Sequence, residues 1–282
     1  MAIRTFLAFP NGKTKALTLS YDDGVDTDIH MVELMKKYAV KCTFNLNSGL
    51  FSPEDAVRPE HQIHFHLSKS QAKTLYTHPL CEVATHTYSH PQLHGMPESV
   101  LMSEIIRDRQ ELENLFGGVV RGHAYPFGHC NDTVVDIWER AGIAYARGVH
   151  SHHTFQLPGD WLRWEPTCHH NDGQFAQLTN KFVSETVGAS EDGWLFYLWG
   201  HTYEFRANDN WNVIEQFFES ISHDDDIWCA TNIEVYEYVN AWRSLVYSAN
   251  GECVYNPTAI DVWVKVAGNM VAIPAGATVS LH

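Results

Sequence analysis

The chain has 282 residues, 44% of them apolar and 12% aromatic, enough to bury the core of an α/β domain and unlike a disordered segment. Its 34 acidic residues outnumber 19 basic ones, for a formal net charge of −15. That balance argues against nucleic acid or an anionic membrane as partner, because both require basic faces. No apolar run approaches the roughly 20 residues that span a bilayer. The apolar patch at the start is broken by Pro10, Asn11 and Gly12 before it reaches the length of a signal-peptide core.

Strand-like and helix-like runs alternate along the chain. Residues 15–21 (KALTLSY) read as an apolar strand that runs into Asp22, Asp23 and Gly24. Residues 28–38 place Met31, Val32, Leu34, Met35 and Tyr38 on one side of a helix, and 41–46 (KCTFNL) form the next strand. After a long loop, a helix at 69–76 leads into a strand at 81–85 that ends at His86. A helix at 98–116, a strand at 119–124, a helix at 131–141 and a strand at 143–147 follow. A loop rich in His and Pro precedes a helix at 173–187 and the apolar strand 194–199 (WLFYLW), which runs into Gly200 and His201. Residues 210–221 are helical and 226–230 make a last strand. Thr231 and Glu234 then fit a capping box for a helix with Val235, Tyr238, Val239 and Trp242 on one face.

This order predicts an α/β fold with a parallel sheet, a barrel in preference to a doubly wound sheet, over residues 1–250. Residues 251–282 differ. Short β segments at 258–266, 269–273 and 278–281 predict a small β extension packed on the barrel. Six cysteines (42, 81, 130, 168, 229 and 253) lack any CxxC pair, so reduced thiols and a cytoplasmic location are expected. The 18 histidines favour metal chemistry.

The chemically capable residues cluster at the C-terminal ends of predicted strands: Asp22 and Asp23, His86, Pro126 and Phe127, and His201. In a parallel barrel those ends share one face, where active sites form. His86 and His90 make an HxxxH pair that a helical turn would bring to one side, and Asp23 from another strand would complete three ligands for one metal. HExxH protease chemistry is excluded by the absence of the glutamate. Adjacent carboxylates at 22 and 23 suit one metal ligand and one proton acceptor. His152, His153, His61, His64 and His66 read as solvated loop histidines, while His169 or His170, in 166–171 (PTCHHN), is a candidate to touch substrate.

These residues and their order resemble the polysaccharide deacetylases, carbohydrate esterase family 4. Residues 18–24 (TLSYDDG) are similar to the family's TFDDG motif, 41–45 (KCTFN) to its K-A-T-F-F strand, and 82–90 (EVATHTYSH) to its H-T-x-x-H motif. The resemblance runs from about residue 15 to 240. It implies a distorted (β/α) barrel of seven or eight strands and removal of acetyl groups, N- or O-linked, from a carbohydrate such as a soluble oligosaccharide or amino sugar. It implies Asp22 as general base and one divalent metal on Asp23, His86 and His90, zinc first, with cobalt, nickel or manganese also suited to such ligands. Residues 124–128 (AYPFG) resemble the third motif, which puts Tyr125 and the Phe127 N–H at the oxyanion and substrate pocket. Residues 160–164 (DWLRW) resemble the fourth, with Asp160 orienting the catalytic acid and Trp164 walling the acetyl pocket. Residues 198–201 (LWGH) resemble the fifth, which makes His201 the general acid. Trp199 and Tyr203 are candidates to stack on sugar rings.

One departure stands out. The third motif's arginine, which holds the base, is Ala124 here, leaving Arg121, Arg147 and Arg163 as replacements. Hydrolysis of a cyclic imide or ureide and a catalytically silent carbohydrate-binding relative are the rival functions. A homo-oligomer is compatible with the sequence.

Overall fold

The computed structural model describes residues 4–281. Its first strand, β1 (Thr5–Ala8), stands apart from the main sheet. The main sheet starts at β2 (Lys15–Asp22), a strand buried at every position, followed by α1 (Asp28–Tyr38) and β3 (Cys42–Leu46). Next come α2 (Lys69–Tyr76), β4 (Cys81–Thr85), α3 (Glu98–Phe116), β5 (Gly122–Ala124), α4 (Asp132–Arg140) and β6 (Tyr145–Arg147). The second half carries β7 (Cys168–His169), α5 (Phe175–Ser184), β8 (Trp194–Gly200), α6 (Thr202–Asn208), α7 (Trp211–Ser222), β9 (Ile227–Ala230) and α8 (Asn232–Arg243). Local sequence explains the helix starts: Ser68 with Gln71 and Thr231 with Glu234 form capping boxes, and the Asn131 side chain accepts from Val134 N–H.

The strands form one parallel sheet in the order β6-β5-β4-β3-β2-β8-β7. β2 is its centre: Ser20–Asp22 pair with β3, while residues 15–18 pair with β9. Closure between β6 and β8 falls to residues 164–170. Trp164 N–H donates to Ala146 O at 3.0 Å, and Thr167 N–H to Tyr197 O at 2.8 Å. This is the distorted (β/α) barrel expected. A continuous apolar core, including Leu17, Leu19, Phe44, Phe196, Phe217 and Phe218, lies between β2, β3 and β8 and the surrounding helices.

The remaining strands are β10 (Val246–Tyr247), β11 (Cys253–Tyr255), β12 (Val262–Val266), β13 (Asn269–Ile273) and β14 (Thr278–Ser280). They build two antiparallel three-stranded sheets, β1-β12-β13 and β10-β11-β14. The apolar patch near the N terminus thus pairs with the tail, Thr5 opposite Val266 and Ala8 opposite Trp263. Val254, Val262, Val264 and Ile273 cluster with Ala241 and Leu245 at the end of α8. No helix among the described residues is long and apolar enough to cross a membrane.

Candidate active site

The two adjacent acids leave β2 in different directions. Asp22 continues the strand, whereas Asp23 adopts φ 80° and Gly24 φ 66°, a left-handed turn that separates the carboxylates. Asp22 is buried; Asn45 Nδ2 donates to its Oδ1 at 2.8 Å and the Arg147 guanidinium donates to its Oδ2. Arg147 ends β6, is fully buried, donates to Ser20 Oγ and Gly148 O, and packs 4.3 Å over the Trp199 ring. Arg147 therefore fills the place left by Ala124. Arg121 pairs with Glu237, and Arg163 with Asp132 and Asp160. Burial acts to raise the Asp22 pKa, but Arg147, with His86 and His201, holds the carboxyl below its ordinary value.

Asp23, His86 and His90 converge, with ligand atoms within 4.8 Å of one another. His86 Nε2 is 3.7 Å and His90 Nε2 3.9 Å from Asp23 Oδ1. The pair is not on a helical turn as the spacing suggested. Residues 86–90 form a loop after β4 in which Thr87 and His90 have φ of 65° and 55°, and this bend brings the two rings to 4.7 Å. His86 Nδ1 donates to Ala124 O at 2.7 Å, and since a carbonyl only accepts, the Nε2 lone pair faces the site. Burial lowers the His86 pKa to about 4, so the ring is neutral near pH 7, as a ligand must be. The donor set, two imidazole nitrogens and a carboxylate oxygen, fits a divalent ion of the zinc type.

His201 follows β8, with Nε2 3.9 Å from Asp22 Oδ2 and Nδ1 donating to Glu204 Oε1 at 3.1 Å. The orienting partner expected at Asp160 is elsewhere. Asp160 caps the turn of residues 161–163 by accepting from Leu162 N–H and pairs with Arg163 at the surface. Glu204 stands where Asp160 was expected because it lies three residues beyond His201, on the first turn of α6. Glu204 Oε2 also faces His169 Nε2 at 3.2 Å and His170 Nε2 at 2.8 Å. His170 is buried against Gly200, where an added Cβ would sit 2.0 Å from its Nδ1. Burial opposes protonation of His201, but Glu204, Asp22 and Asp23 outweigh it and raise its pKa.

Residues 10–146 match the family model described as polysaccharide deacetylase. That segment is a little under half of the chain and includes the motifs at 18–24, 41–45, 82–90 and 124–128. The whole barrel aligns with a Mycobacterium smegmatis protein classed with the polysaccharide deacetylases, at 14% identity over 84% of this chain and 94% of that one, TM-score 0.58. It also aligns with the Xyl-CE4 domain of a multidomain xylanase from the hindgut metagenome of Trinervitermes trinervoides, at 19% identity over 80% and 92% of the two chains, TM-score 0.50. The deacetylase PplD of Streptococcus pyogenes, in complex with acetate, is 23% identical over 47% of this chain, TM-score 0.42; the chain spans about half of it, 55%. No curated protein matches the sequence.

The expected pocket residues divide. Phe127 is half exposed, has φ 58°, and meets the His90 ring edge-on with the ring centroids 4.7 Å apart. The Tyr125 side chain instead packs in the core against His123 and Trp138 and donates to Leu162 O. Trp164 is buried among Tyr145, Trp161 and Tyr197 as part of the barrel closure. One face of Trp199 is taken by Arg147. Two histidines read from sequence as solvated belong to the site. His64 Nε2 donates to Asp23 Oδ2 at 3.1 Å, and His66 Nδ1 donates to Asp23 O at 2.9 Å. His153 pairs with Asp172 at 2.8 Å, away from these acids.

Proposed function

We propose that the chain is a metal-dependent hydrolase that removes acetyl groups from a carbohydrate, an acetylated oligosaccharide or amino sugar. The observation that carries this reading is the meeting of three units on one face of the barrel: Asp23 with His86 and His90, Asp22 with Arg147, and His201 with Glu204. Asp23, His86 and His90 would hold the ion, zinc before cobalt, nickel or manganese. A divalent ion there supplies Lewis-acid polarisation of the acetyl carbonyl and of the attacking water.

Asp22 receives the proton of that water as its oxygen adds to the acetyl carbon. Arg147 and Asn45 fix both Asp22 oxygens, so the base needs no reorganisation when it acts. The Phe127 N–H is assigned to the carbonyl oxygen as negative charge develops on it. His201 Nε2 then gives its proton to the leaving sugar nitrogen or oxygen, the acetyl C–N or C–O bond breaks, and acetate departs. The surroundings push the two groups in opposite directions, Asp22 towards its ionised form and His201 towards its protonated form, which suits one to accept and the other to donate.

Acetate release from N-acetylated chito-oligosaccharides and O-acetylated xylo-oligosaccharides tests the reading and identifies the leaving group. Release from neither, with metal bound, would contradict it.

A further inference from the structure

We infer that His64 is a positioning residue for the metal: it holds one oxygen of Asp23 so that the other is presented to the ion. The inference rests on the metal-dependent reading above and concerns a residue outside the deacetylase motifs quoted for this chain. The two oxygens of Asp23 face different partners. Oδ1 looks towards His86 Nε2 and His90 Nε2, at 3.7 and 3.9 Å, whereas Oδ2 accepts from His64 Nε2 at 3.1 Å. A carboxylate turns about its last bond with little hindrance, so without an anchor either oxygen, or both, can address the ion. A donor fixed on Oδ2 removes that freedom and leaves one oxygen for coordination.

The His64 segment is built to hold this position. Asp26 N–H donates to Phe65 O at 2.9 Å and Leu67 N–H to Gly24 O at 3.0 Å, tying the loop to the turn that carries Asp23. His66 Nδ1 holds the Asp23 main-chain oxygen, which steadies a residue in the sparsely populated left-handed region. Helix α6 secures the other side. Arg206 bridges Asp26 at 2.8 and 3.0 Å and Ile63 O at 3.2 Å, and the Tyr203 ring meets the His64 ring edge-on at 4.9 Å. The helix that bears Glu204 beneath His201 therefore also fixes the residue beneath Asp23.

The test measures zinc and cobalt affinity of metal-free protein by chelator competition, for wild type, His64→Ala, His64→Gln and His61→Ala. His64 is 38% exposed, so its loss is tolerated by the fold, which matched melting temperatures of the metal-free proteins verify. Loss of a partner of this kind weakens metal binding about 10- to 100-fold. That loss is expected for His64→Ala, with much of it recovered by His64→Gln, whose amide can donate to Oδ2, and none seen for His61→Ala. The cobalt absorption spectrum should change in His64→Ala as the carboxylate reorients. Unchanged affinity in His64→Ala would overturn the inference, as would equal weakening in Ala and Gln. A wild type that binds no metal would instead overturn the deacetylase reading beneath it.

Discussion

Arg147→Met removes the guanidinium from Asp22 while keeping an unbranched stem against Trp199. Asp22 then keeps the Asn45 hydrogen bond at 2.8 Å and His201 at 3.9 Å but loses the guanidinium that hydrogen-bonds it, with its side chain 3% exposed. Removing one member of a buried ion pair costs about 3–5 kcal/mol, and the remaining Asn45 bond argues for the lower end. About 3 kcal/mol corresponds to a drop of roughly 6–12 °C in melting temperature for a domain of this size. The cost belongs to the Asp22 charge, which fixes its sign with pH. Without Arg147, burial raises the folded-state pKa of Asp22 above its unfolded value. The penalty is then full at neutral pH and shrinks as pH falls and the carboxyl takes up its proton. Scanning calorimetry of metal-free wild type, Arg147→Met, Asp22→Asn and the double variant between pH 5 and 8 reads this directly. In the Asp22→Asn background Arg147→Met should cost little, giving a coupling of about 2 kcal/mol or more. Equal losses in both backgrounds, or a penalty independent of pH, would refute the reasoning.

Glu204→Gln should lower kcat by up to about a hundredfold, the low end of what a positioned acid contributes, because His201 loses the anion that keeps it protonated. The alkaline limb of its pH–kcat profile should move to lower pH, while Asp160→Asn leaves that limb in place; the reverse pattern would restore Asp160 to the role. Asp28 accepts from Val25 N–H, Tyr76 and Thr202, yet burial pushes its pKa up to about 7, so its contribution to stability is full below its unfolded value and is lost as pH rises towards 7. The urea midpoint of the wild type should therefore fall relative to that of Asp28→Asn between pH 4 and 8, and parallel curves would contradict this. Trp164→Ala should destabilise by about 3–5 kcal/mol through a core cavity, whereas a pocket wall would change KM before stability.

Much of the barrel was legible because each unit obeys a local rule. Helices at 28–38, 69–76 and 98–116 and the strand at 81–85 occupy the residues that apolar spacing predicts. Asp22, Asp23, His86 and His201 stood out because each ends an apolar strand. Arg147 carried the same signal at the end of β6, and strand position would have separated it from Arg121 and Arg163. The contributions that stayed hidden are contacts between segments distant in sequence. His64 lies in a long loop with no periodic pattern, and only folding back over Gly24 brings it to Asp23. Asp160 was misplaced because motif likeness reports chain order and not direction; Glu204, one helical turn after His201, was the local alternative. Trp164 has its main contacts in the barrel closure, with Tyr145, Trp161 and Tyr197, which chain order alone does not reveal.

The most direct test of the central claim is acetate release from acetylated chito- and xylo-oligosaccharides by metal-depleted protein, with and without added zinc or cobalt, beside Asp22→Asn and His86→Ala. The account predicts release that depends on added metal in the wild type and is lost in both variants, with bound metal retained by Asp22→Asn and lost from His86→Ala. Release that persists without metal, or that survives in either variant, would contradict it.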